Sequence, residues 1–61
     1  MRKYEVIIAI HFNRGATRRE KIVIEAGNKK MAAIRALSEI GNNKTYSNVY
    51  KEVISVKELS A

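Results

Sequence analysis

Sixty-one residues suffice for one compact domain, spanning 1–61, and a monomer of this size withdraws only about 60% of its unfolded surface from water. Cysteine and aspartate are absent and His11 is the sole histidine, which excludes a disulfide framework and an N/S-ligand metal cluster within one chain and leaves self-association or an efficient core as the source of stability. Twelve Lys and Arg against six Glu give a net charge of +6, a balance that favours polyanionic partners and also serves solubility.

Residues 3–13 alternate between two faces. Tyr4, Val6, Ile8, Ile10 and Phe12 share one, and Lys3, Glu5, Ile7, Ala9, His11 and Asn13 share the other, the pattern of a long strand. Asn13-Arg14-Gly15-Ala16-Thr17 carries hairpin-turn chemistry, with Gly15 free to adopt positive φ. A second strand over Arg19 to Ala26 follows, with Ile22, Ile24 and Ala26 inward and Lys21, Val23 and Glu25 opposite. Gly27 breaks it, and Asn28 is placed to cap a helix.

The helix should bury a stripe of Ala33, Ile34, Leu37 and Ile40, helped by Ala36, with Gly41 as its stop. Thr45 to Lys51 reads equally as a turn or one helical turn holding Tyr46, Val49 and Tyr50. Val53 to Leu59 alternates again, with Ile54 and Val56 facing the helix and Val53, Ser55 and Lys57 facing away. The order is ββαβ. A right-handed crossover places the third strand beyond the first, which predicts an α+β fold with a three-stranded antiparallel sheet in order 2-1-3 and one helix on one face.

The chain resembles short phage- and mobile-element-encoded proteins of strand-strand-helix-strand layout. The likeness lies in Lys3-Tyr4-Glu5-Val6-Ile7, Ala32-Ala33-Ile34-Arg35-Ala36-Leu37 and Val53-Ile54-Ser55-Val56-Lys57-Glu58-Leu59. The resemblance implies this size class and a binding or host-modulating role, and it carries over no functional residue. No apolar run approaches the ~20 residues of a membrane span, and Met1-Arg2-Lys3 leads into alternation rather than a signal-peptide core, so the expectation is a soluble cytoplasmic chain that needs no cofactor.

Topology assigns the charges to two poles. The hairpin, the start of the third strand and the end of the helix should gather Arg14, Arg18, Arg19, Lys21, Lys44 and Lys51 against Glu20 and Glu52. Arginines on a glycine-containing tip can follow a phosphate backbone, although a basic turn can equally protect a sheet edge. Lys29 and Lys30 sit at the positive end of the helix dipole, where an anion would relieve them or Glu25 would neutralise them.

The uncovered sheet face should show Ile7, Ala9, Val23 and Val53, a patch able to meet a second copy or a protein partner, or to remain as ordinary exposed aliphatics. An aromatic stacking platform is not expected there, because Tyr4 and Phe12 point inward and only His11 is on offer. Catalysis is not expected either. Glu5 and His11 share a face but lie about 20 Å apart along the strand, too far for an acid–base pair. Two readings remain: a non-enzymatic nucleic-acid-binding module using Arg14, Arg18, Arg19, Lys44 and Lys51, with Lys29 and Lys30 as a second candidate site, or a protein-interaction module or small inhibitor engaging an acidic partner through the open face or an edge.

Overall fold

A computed structural model describes residues 2–42 and 48–60 of the chain. The described residues form β1 (Arg2–His11), β2 (Thr17–Ala26), α1 (Lys29–Gly41) and β3 (Tyr50–Ser60), an α+β arrangement with both sheet pairings antiparallel and strand order β2-β1-β3. β1 is central, as its apolar alternation requires. Tyr4, Val6, Ile8 and Ile10 are buried completely or nearly so, and the helix lays Ala32, Ala36 and Ile40 over them.

The β1–β2 hairpin closes as the turn residues dictate. The Phe12 amide donates to the Ala16 carbonyl at 2.8 Å, the Gly15 amide to the Phe12 carbonyl at 3.0 Å, and Gly15 takes φ +84°. Only a residue without Cβ adopts that conformation cheaply. At the helix start Asn28 is extended, and its Oδ1 accepts from the Met31 amide at 2.9 Å.

Three local expectations change. First, the buried stripe is Ala32-Ala36-Ile40, with Ala33 and Leu37 half-buried beside it, while Ile34 is 51% exposed. Two alanines at four-residue spacing let the helix approach the sheet closely, and a helix seated on its small residues turns Ile34 outward. Second, Gly41 is the last helical residue and not a left-handed stop: the cap is Asn42 at φ −76°, whose amide bonds the Ser38 carbonyl at 3.0 Å. Third, β3 begins at Tyr50, which resolves the end of the ambiguous 45–51 segment as strand; residues 45–47 lie outside the described residues.

The largest correction concerns β3. Ile7 pairs with Ser55 but Ile8 pairs with Val53, so Ile54 is an extra residue bulging from the ladder. Continuing the alternation back from Val56 would set Ile54 against Ile8. The bulge sets Val53 there instead, packed on the core, and leaves Ile54 exposed. Val53 therefore does not belong to the open face. Ala9 is on that face but is only 2% exposed, because its single methyl sits on the central strand, flanked by Arg19 of β2 and Glu52 of β3 in the ladder. Of the expected open-face patch, Ile7 is half-buried and Val23 remains exposed.

The seating of the helix can be checked by overpacking it. Ala36→Leu should destabilise the fold by about 1–3 kcal/mol, since a fully buried methyl position has no room for an isobutyl group. Ile34→Ala should change stability by no more than about 0.5 kcal/mol. Urea unfolding of the two variants beside the wild type reads both; an equal loss in each would mean that the helix presents the other stripe.

Candidate nucleic-acid interface

The helix follows β2 after only Gly27 and Asn28, so it starts beneath the Ala26 end of the sheet. Its thirteen residues rise about 20 Å, whereas a ten-residue strand spans about 30 Å. The hairpin end therefore extends past the helix, in keeping with a molecule 39 Å long and only 18 Å wide.

Strand register places each basic side chain at that end. Residues directly opposite in an antiparallel ladder share a face. Arg18 and Lys51 both oppose Ile10 and so share the helix side of the sheet. Arg19 opposes Ala9 and lies on the open side, followed two residues later by Lys21. Arg14 is exposed in the turn. The cations thus surround the hairpin end and do not form one flat patch.

Their carboxylate partners are sparse. Arg18 Nε meets Glu20 Oε1 at 3.0 Å, and Lys21 Nζ lies 4.0 Å from Glu5 Oε2, both pairs of an exposed cation with a half-buried carboxylate and of small energetic value. Lys51 Nζ donates to the Val49 carbonyl at 3.0 Å. Arg14 and Arg19 have no carboxylate partner among the described residues.

Lys29 and Lys30 are exposed at the opposite end, about 30 Å along the strand axis, and do not join this cluster. The first-turn amide of Met31 is already occupied by Asn28, which removes one donor a phosphate would need there. Lys44 lies outside the described residues.

The open face at the hairpin end holds a feature the alternation did not foretell. Tyr50 opposes His11, its ring centroid 5.4 Å from the imidazole and tilted by 38°, and it is 66% exposed. His11 is held from both sides: Thr17 Oγ1 lies 3.4 Å from Nδ1 and Glu52 Oε1 lies 3.4 Å from Nε2. In the Nε2-protonated tautomer the ring donates to Glu52 and accepts from Thr17, both over long distances. Thr17, His11 and Tyr50 make one row across the sheet, and Arg19, Ala9 and Glu52 make the next. The exposed Tyr50 ring and the Arg19 guanidinium thus belong to adjoining rows of one surface. The Ile54 bulge is responsible, because it reverses the facing of every β3 residue before it and brings Tyr50 to the open side. The adjacent β-branched pair Val53-Ile54, which interrupts strict alternation, was the available sequence signal.

The described residues contain no helix long and apolar enough to cross a membrane, and no group of three or more His, Cys, Asp or Glu placed to hold a metal ion. Comparison with protein-family models, curated proteins and solved structures finds no match to this chain.

The hairpin arginines are surface groups whose removal should leave the fold standing. Simultaneous Arg14→Ala, Arg18→Ala and Arg19→Ala should lower stability by about 1.5 kcal/mol at most, measured by thermal unfolding in circular dichroism. A collapse of the transition would show that these side chains support the sheet.

Proposed function

We propose that this chain is a non-enzymatic, cytoplasmic nucleic-acid-binding module that takes a single strand across the hairpin end of its open sheet face. The observation that carries the reading is the exposed Tyr50 ring, backed by His11, in the row next to Arg19. Base stacking on an exposed aromatic is sequence-tolerant and suits single strands, whose bases are free to splay onto a sheet. Arg19 on the same face and Arg14 at the tip supply phosphate contacts, with Arg18 and Lys51 extending the positive field around the strand ends. Net charge +6 supplies attraction over the whole molecule.

Short fluorescent DNA and RNA oligonucleotides, titrated across a salt series, test the reading. Single strands should bind more tightly than duplex, and log affinity should fall linearly with log salt. Tyr50→Ala should weaken binding by about 5- to 150-fold, equivalent to about 1–3 kcal/mol for a lost stack, with the salt slope unchanged, while Tyr50→Phe should retain most of it. The triple arginine variant should instead reduce the slope by about 1.4, the amount expected when the two phosphate contacts of Arg14 and Arg19 to a single strand are lost. No binding at the lowest salt would overturn the proposal and transfer it to an acidic protein partner.

A further inference from the structure

The two sheet edges differ. β3 carries two irregularities, the Ile54 bulge and a second register shift that skips Leu59. Such interruptions disfavour continuous pairing with another strand. β2 carries none: all ten of its residues pair in one unbroken register with β1. Its outer edge is a straight template.

The hydrogen-bond phase of that edge follows from the hairpin. Phe12 and Ala16 form a bonded pair at the turn, and bonded pairs recur at every second position of an antiparallel ladder, so even-numbered β2 residues turn their backbone groups toward β1. Arg19, Lys21, Val23 and Glu25 therefore turn theirs outward. Arg35 Nη1 agrees with this phase, donating to the Glu25 carbonyl from outside the sheet at 3.1 Å, and that oxygen keeps a second lone pair.

Beside this edge lies a groove of about 590 Å³ between β2 and the helix, lined by Val23, Ile24, Glu25, Arg35, Ser38 and Glu39. Ile22 and Ile24 face the helix side yet are only half-buried, since no strand lies beyond them, and Val23 is 56% exposed on the other side. The edge thus offers apolar side chains on both faces at its middle.

We propose that a second copy of this chain adds to the outer edge of β2 about a two-fold axis through Val23, giving a continuous six-stranded antiparallel sheet with both helices on one side. Antiparallel pairing of a strand with itself matches residues whose numbers sum to a constant, and about Val23 the strand is complementary to itself. Val23 meets Val23 of the partner subunit. Lys21 meets Glu25 of the partner subunit twice over, on the same face, and Glu25 has no ion-pair partner among the described residues of its own chain. On the helix side Ile22 meets Ile24 of the partner subunit. Centring one residue earlier sets Lys21 against Val23 and Glu20 against Ile24, and centring one later sets Val23 against Glu25, so Val23 is the centre that pairs apolar with apolar and positive with negative. The outward backbone groups of Lys21, Val23 and Glu25 all find partners in this register. Since β2 runs antiparallel to its mate, the two hairpin ends point to opposite extremes of the sheet, and the interface covers none of Arg14, Tyr50 or His11.

Charge exchange on the full chain tests the register. Lys21→Glu alone sets two glutamates against each other at both symmetric positions, and Glu25→Lys alone sets two lysines there. Each variant should dimerise roughly ten-fold more weakly than the wild type by sedimentation velocity. An equimolar mixture of the two variants restores Lys–Glu pairing at one position and Glu–Lys at the other, so it should form a heterodimer of near wild-type strength. That recovery also shows that both variants fold. A wild-type chain that stays monomeric at high micromolar concentration overturns the proposal. So does a dimer insensitive to either substitution, or a mixture that fails to recover. Oligonucleotide binding plays no part in these measurements, so the dimer and the nucleic-acid reading stand or fall separately.

Discussion

Tyr4, Val6, Ile8 and Ile10, packed beneath Ala32, Ala36 and Ile40, form the contact on which the remainder of the molecule rests. β1 supplies the large side chains and the helix supplies mostly small ones, so the two layers close tightly although the chain has no disulfide. Removing the central strand would leave β2 and β3 with no common neighbour, and the helix with nothing to cover. Apart from the fully buried Ala26 at the end of β2, the outer strands contribute half-buried residues to the same core, namely Ile22 and Ile24 from one side and Val53 and Val56 from the other.

That core covers one face of the sheet and less than its full length, and both shortfalls shape the surface. The hairpin end extends past the helix, and Arg14, Arg18, Arg19 and Lys51 gather around it, Arg18 in an ion pair with Glu20. The uncovered face carries mainly charged and polar side chains, with Lys21 beside Glu5 and His11 beside Glu52. A face of that chemistry tolerates water well and offers little to a flat hydrophobic partner. Its aromatic corner at Tyr50 and His11 is the exception.

The β3 bulge joins the core to this corner. One extra residue lets Val53 fill the space opposite Ile8, and the same residue turns Tyr50 and Glu52 to the open side. Packing and surface chemistry are therefore set by a single irregularity. It also blunts the β3 edge, leaving β2 as the regular one, so the two edges of a small sheet come to have different capacities for pairing.

The order of elements, the 2-1-3 sheet, the hairpin at Gly15 and the Asn28 cap were all legible in the residues, because alternation, turn chemistry and capping are local and the handedness of the crossover leaves one topology. The basic hairpin pole followed from that topology. Three features did not: the facing of β3 before Ile54, the rotation of the helix onto Ala32 and Ala36, and the burial of Ala9. Alternation carries no mark of which of two adjacent β-branched residues will leave the ladder, and Val53-Ile54 was decided by which of them fills the space opposite Ile8. Ile34 is more apolar than Ala32, yet close approach of the layers selected the smaller residue. By itself the sequence determined the fold, the turn and the sign of the surface charge; the tertiary structure alone decided which aromatic and which arginine share a surface, because that depends on volume matched across strands distant in the chain.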